Sequence, residues 1–220
     1  MRKLIISLIV LILVLVALDR VAVAGVQRDL ANRIAASADL SGPPTVTIEG
    51  VPFLTQALSG HYPEVRFDLG TLTYGGVPVR DLRGVAYDVT APLGDILRNR
   101  PDVRAGRVTV SGTLTKQTLD RFAPDGIKIG SDGRRLTASG EVMVGANKLK
   151  IDATMRVEVT DGRIRLRAEK VEGVPDAVAQ LMTFDLPFDG LPFDVRLTRV
   201  RSVPLGLEFT ATATDVPIRG

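Results

Sequence analysis

Three carboxylates, Asp185, Asp189 and Asp194, fall within the segment FDLPFDGLPFD at 184–194. Two carboxyl groups facing one another across a cleft can act as acid and base on a glycosidic bond. That chemistry requires convergence and one raised pKa. Proline and phenylalanine alternate with these aspartates, a composition that suits a rigid apolar loop better. The chain has one histidine, His61 in SGHYPEV, and no cysteine. Thiol nucleophiles, thiolate metal sites and disulfides are therefore excluded. A dyad or metal site on His61 would need carboxylates from elsewhere, and the residue reads as a loop histidine. No G-x-S-x-G is present, and the YGG at Tyr74–Gly76 lacks the lysine and spacing of a phosphate loop. We expect no enzyme, no metal and no cofactor.

The cations are more suggestive. Arg163, Arg165 and Arg167 alternate along one strand face, about 7 Å between successive members. Such a row is either a solvated outer face or a contact for lipid-headgroup phosphates at a membrane surface. Net charge is +3, but without residues 1–24 the chain holds 25 basic and 24 acidic residues. The basicity belongs largely to the N-terminus, and no nucleic-acid partner is expected.

The elements that must position these groups are mostly strands. Val65, Phe67 and Leu69 alternate with Arg66 and Asp68; Val85, Tyr87 and Val89 repeat the pattern, and Val108 and Val110 sit in another short run. The clearest stretch is 134–168. Leu136, Ala138, Gly140, Val142 and Val144 share a face, Asn147-Lys148 is expected to turn the chain, and Leu149, Ile151, Ala153, Met155, Val157 and Val159 form the next face. Asp161-Gly162 is a hairpin signal, after which Ile164, Leu166 and Ala168 alternate with the arginines. This is an antiparallel meander with one apolar and one wet face. A last strand pair is expected around Val195–Arg199 and Leu207–Ala213. Short helices are expected from Pro92, from a Thr115 cap that puts Leu119 and Phe122 on one side, and from Pro175.

The N-terminus, MRKLIISLIVLILVLVAL, is a basic start followed by apolar residues from Leu4 to Leu18, interrupted by Ser7. Fifteen helical residues reach about 22 Å, short of a hydrocarbon core of about 30 Å. That length suits a signal peptide, and Ala22-Val23-Ala24 is a small-residue cleavage site. Against cleavage, Asp19 and Arg20 interrupt the approach, and helical apolar spacing continues through Val23, Val26, Leu30 and Ile34. Two outcomes stay open: a soluble protein cleaved near Ala24, or one anchored by residues 4–24. In both, the remainder is exported to the periplasmic or cell-envelope space, as one domain over residues 25–220. SGPP at Ser41–Pro44 ends the helix.

Ile48–Pro52 (IEGVP) returns as Val171–Pro175 (VEGVP), and each copy leads into an apolar stretch and later a strand ending in Asp-Val (Asp88-Val89, Asp215-Val216). A weak internal duplication, 48–89 against 171–216, accounts for this. The apolar faces are rich in Ala, Val, Thr and Gly, whereas Phe53, Phe122, Phe184 and Phe193 sit at helical and loop segments. A sheet lined by small residues can pack as a filled core or curve around a tubular cavity.

The segment VTIEGVPFLTQALSGHYPEVRFDL resembles a hallmark of the LmeA-like phospholipid-binding family of actinobacterial envelope proteins. The shared elements are Asp19-Arg20, the helix over 21–38, and Ile48, Gly50, Pro52, Phe53, Leu54, Thr55 and Gln56. The closing DLPFDGLPFDVRLTRVRSVPLGLEFTATATDVPI is similar to the family's C-terminal pattern, and a valine stands at position 51 where a bulky residue is frequent. The resemblance implies an α+β fold in which a strongly curved antiparallel sheet wraps a long N-terminal helix, like tubular lipid-binding (BPI-like) domains. It implies a phospholipid partner, an apolar acyl-chain cavity and a role in envelope lipid or lipoglycan maintenance. On that reading Val51, Phe53, Leu54 and Leu58 form one apolar lip and Val178, Leu181 and Met182 a second wall. Phe67, Leu119, Phe122, Val142, Ile151, Met155, Phe184 and Phe209 complete the cavity, and Arg163, Arg165 and Arg167 meet headgroups. The competing reading is a non-enzymatic envelope scaffold with a filled core. No protein partner is named by the sequence.

Overall fold

The computed structural model of the chain describes residues 2–92, 102–144, 147–160, 163–171, 183–186 and 195–218. The fold is α+β, an N-terminal helix with a strongly curled antiparallel sheet. The helix α1 (Arg2–Ser37) is followed by β1 (Thr45–Ile48), α2 (Phe53–Ser59), β2 (His61–Tyr74), β3 (Val77–Thr90) and β4 (Val103–Thr115). Then come α3 (Lys116–Asp120), β5 (Ile127–Ser131), β6 (Leu136–Val144), β7 (Asn147–Thr160), β8 (Arg163–Val171), β9 (Phe184–Leu186), β10 (Arg196–Val203) and β11 (Gly206–Ile218). Hydrogen bonding orders the strands β1-β2-β3-β4-β11-β10 in one sheet and β5-β6-β7-β8-β9 in the other. The chain folds into two compact units, the first comprising Met1–Gly70, Arg83–Thr109 and Thr214–Gly220, the second Thr71–Leu82 and Val110–Ala213.

The second unit contains the expected meander. Leu136 pairs with Met155, Ala138 with Ala153 and Gly140 with Ile151, while Val157 faces Leu166 and Val159 faces Ile164. Because strand side chains alternate in direction, these pairs stack on one face. Leu136, Ala138, Ile151, Ile164 and Leu166 are all at most 1% exposed. Strand β9 adds Leu186 opposite Ile164 and Phe184 opposite Leu166. One expectation differs: Asn147 pairs with Val144 and Lys148 with Met143, so both belong to β7 and not to a turn. Thr160 pairs with Arg163, and the expected Asp161-Gly162 turn lies outside the described residues. Thr115 caps α3 as expected, its side chain accepting the Thr118 N–H at 3.2 Å, and Leu119 is wholly buried.

In the first unit α1 runs unbroken from the apolar leader to Ser37, and it packs on β1 and α2. A small cluster of Val23, Ile48 and Phe53 joins them, with Ala22, Leu30, Ala57, Tyr62 and Val65 packed around it. Helix α2 was not anticipated in the VPFLTQALS segment. Its seven residues carry too little periodicity for a helical signal, and its limits come from its ends. Gly50 lies at φ 101° before a cis Val51-Pro52 bond, and Gly60, at φ 67°, returns its N–H to the Gln56 carbonyl.

The Asp-Val pairs that close β3 and β11 share a conformation. Asp88 and Asp215 lie in the left-handed region, at φ 53° and 51°. Asp is among the few non-glycine residues found there. Each shifts the phase of its strand: Ala86 and Val89 are buried in β3, and Ala213 and Val216 in β11. The expected face of Val85, Tyr87 and Val89 is accordingly broken, because a residue in this conformation adds an odd step to the alternation. The short helices expected after Pro92 and Pro175 lie outside the described residues.

Candidate lipid-binding site

In the second unit the turn between β5 and β6 carries two adjacent arginines, Arg134 and Arg135. Asp132 Oδ1 accepts the backbone N–H groups of Arg134 and Arg135, each at 2.7 Å. These two hydrogen bonds hold the Asp132 carboxyl below the usual carboxylate range. The turn is tied to the β10–β11 hairpin by Ser131, whose Oγ lies 2.8 Å from Ser202 Oγ and 2.7 Å from the Val203 carbonyl oxygen. Gly133 adopts φ 87° close against the Pro204 ring, an approach that a side chain at this position would crowd.

Beside this turn lies an open depression of about 610 Å³ whose apolar lining is Leu136, Met155, Val157 and Val200. The polar lining is Arg134, Arg135, Thr154, Glu169, Arg201 and Ser202. Arg201 is gripped by Glu208 through two hydrogen bonds, at 2.9 and 3.0 Å. Glu169 is bonded to Arg156, and the carboxylate raises the pKa of that guanidinium further. Arg134 and Arg135 form no ion pair among the described residues. The depression therefore places two arginines with no ion pair among the described residues in one lining with apolar side chains, and the Asp132 carboxylate acts electrostatically on Arg135. An amphiphile with an anionic head and a hydrocarbon tail has the complementary arrangement.

The residues assigned to a cavity by sequence divide into groups. Leu119, Ile151, Met155 and Phe209 come together in one buried cluster of the second unit, with Phe122 and Phe184 packed against it. Of these, Met155 also lines the depression. In the first unit Phe53 is buried and Phe67 half-buried, whereas Val51, Leu54 and Leu58 are exposed on or beside α2. The Phe53 ring lies 6.1 Å from that of Tyr62, whose phenol is pushed up by burial. Val142 lies in β6, but its side chain is outside the described residues, as are Val178, Leu181 and Met182.

The arginine row is a wet face. Arg165 forms a two-pronged pair with Asp185, at 2.7 and 3.0 Å, and Arg167 is exposed opposite Arg156. The side chain of Arg163 is outside the described residues. Asp185 is thus engaged by a cation, and Asp189 and Asp194 lie outside the described residues, so no pair of these carboxylates is brought together among them. His61 is exposed. No group of three metal-ligating side chains occurs among the described residues.

Sequence reasoning missed Arg134 and Arg135. Their only signal is the Ser-Asp-Gly turn before two adjacent arginines. Nothing in that turn announces the β10 residues Val200 and Ser202 that complete the depression.

A family model described as LmeA-like phospholipid-binding matches residues 17–212. No curated protein and no solved structure matches the chain significantly.

Proposed function

The chain belongs to the LmeA-like phospholipid-binding family, and from that premise we propose that it seats a phospholipid at the depression beside the β5–β6 turn. The observation that carries this reading is that Arg134 and Arg135 share one depression with Leu136, Met155, Val157 and Val200. The guanidiniums would hold the headgroup phosphate through charge-assisted hydrogen bonds. The apolar lining would take the first part of an acyl chain, favourable by about 0.8 kcal/mol for each CH₂ buried. Such binding uses shape and charge and needs no catalytic group. The acyl-chain cavity implied by the family would extend from this site. The setting we propose is the cell envelope, reached through the apolar N-terminal helix, and the role is maintenance of envelope lipid or lipoglycan.

The test is phospholipid uptake by the full chain in mild detergent, followed by native mass spectrometry and lipid extraction. Arg134→Glu with Arg135→Glu should reduce anionic-phospholipid occupancy by tenfold or more. Val200→Glu should abolish occupancy while leaving circular dichroism unchanged. Unaltered lipid content in both variants would place the lipid elsewhere, and a folded wild type that takes up no lipid would sink the reading.

A further inference from the structure

Helices α1 and α2 meet at a buried carboxylate. Asp19 is 3% exposed, although it directly follows the apolar run of α1. Its Oδ1 accepts the Leu54 N–H at 2.7 Å, and its Oδ2 takes the Arg20 guanidinium. The first residues of a helix carry backbone N–H groups with no partner in the helix itself. Pro52, at the N-cap position of α2, supplies no side-chain bond, so Asp19 reaches across from α1 to serve as the cap. Behind this latch Val23 is 7% exposed within the cluster it forms with Ile48 and Phe53. Ala22, Val23 and Ala24 are thus helical, and Val23 is part of the buried cluster. Cutting after Ala24 would remove both the cap of α2 and a wall of the cluster.

Among the described residues, the apolar side chains on and beside the opposite face of α2 are exposed. Val51 is 73% exposed, Leu54 36% and Leu58 78%, and on α1 Leu18 and Val21 are 56% and 72% exposed. Leu54 and Leu58 are four residues apart and share a helix face. Leu58 lies only about 6 Å along α2 from the Leu54 that Asp19 holds. This apolar face therefore begins where the apolar run of α1 ends. That run, exposed throughout in the fold, spans about 22 Å against a hydrocarbon layer of about 30 Å. A second apolar element at the end of a short span, beside an arginine, is the arrangement of an interfacial anchor.

We propose that residues 1–24 remain on the folded protein as a membrane anchor, and that Val51, Leu54 and Leu58 lie in the interfacial layer of the same bilayer. Asp19 fixes the angle between the two elements, and Arg20 sits at headgroup level. The occupant of this face is the lipid surface that α1 already enters. The proposal is independent of the depression in the second unit and stands or falls without it.

The absence of cysteine makes the test direct. Val51→Cys, Leu58→Cys and, as control, Ala36→Cys each give a single labelling site in the full chain. Ala36 is exposed on the same helix, about 25 Å beyond Asp19. Each protein, labelled with a polarity-sensitive fluorophore, is placed in phosphatidylcholine–phosphatidylglycerol vesicles carrying lipids with shallow or deep nitroxides. Labels at 51 and 58 should be blue-shifted and quenched several-fold more by shallow nitroxides than the label at 36. Asp19→Ala in the Leu58→Cys background should reduce that quenching, while Asp19→Asn, which keeps an acceptor oxygen, should largely preserve it. Protein recovered from membranes should have the intact mass. The proposal is overturned if positions 51 and 58 are as wet as 36, or if the recovered chain begins at Gly25. It is equally overturned if the labels are dry but insensitive to lipid nitroxides and become wet on dilution, which would mark a contact with a second copy. Quenching unchanged by Asp19→Ala would overturn the latch.

Discussion

The two units bury their apolar residues in different ways. In the second, β5 to β9 stack Leu136, Ile151, Ile164, Leu166 and Leu186 on one face, with Leu114, Leu119 and Leu207 among the residues closing over it. In the first, the cluster around Val23, Ile48 and Phe53 is small, the strands bury further side chains such as Val46, Ala86, Val89 and Ala105, and α1 exposes nearly all of its apolar run. A continuous sheet face holds itself together by close packing. A small cluster needs additional ties, here the Asp19 carboxylate, the Gly60 cap and, in our proposal, a bilayer. The contrast shows how the same kinds of side chain give a self-sufficient core in one unit and an exposed apolar surface in the other.

Substitutions that break this contrast separate the two kinds of burial. Leu166→Ala, in a wholly buried site between Val157 and Phe184, should lower stability by about 2–5 kcal/mol. The loss should appear as a reduced midpoint of urea unfolding monitored by circular dichroism. Ile48→Ala in the small cluster should fall at or below about 2 kcal/mol, because an open site collapses more readily around the lost atoms. An equal effect at the two positions would dissolve the distinction between the units. Thr115→Ala removes a helix cap and should cost about 1 kcal/mol. Faster amide exchange is expected around Thr118, with the meander unaffected. Smallest of all, the exposed Arg165–Asp185 pair should contribute no more than about 1 kcal/mol, vanishing in high salt. A double-mutant cycle at low and high ionic strength measures it, and a large salt-resistant coupling would make the arginine row more than a solvated face.

Much of the fold is legible in the chain because it rests on local rules. The alternation from Leu136 to Ala168, the antiparallel β7–β8 pairing and the Thr115 cap all follow from side-chain direction and turn chemistry. The register found matches the expected faces. Where one residue breaks the period, local reading fails. Asp88 shifts the phase of β3, so the buried residues are Ala86 and Val89, and the valine–tyrosine face expected from strict alternation is lost. Helix α2 was illegible for another reason: its seven residues are limited by glycine conformations and capped by a carboxylate from a different helix.

The proposed site was legible in part. Met155 was expected to line an acyl-chain cavity, and it lines the depression at which we propose the lipid sits. Arg134 and Arg135 were not singled out because a turn with two arginines is an ordinary surface feature until a β10 wall stands beside it. The arginines at 163, 165 and 167 were singled out by regular spacing, and spacing says nothing of the Asp185 that pairs with Arg165.

By itself the sequence determined the absence of thiol chemistry, the strand periodicity of its meander, the apolar character of its leader and its family resemblance. These depend on residue type and on separations of a few positions. Only the tertiary structure decided that Asp19 caps α2, that Val23 belongs to a buried cluster, and that Arg134 and Arg135 share a depression with Val200. Those facts join residues from different elements, and a contact between distant residues exists only once the intervening chain has folded to bring them together.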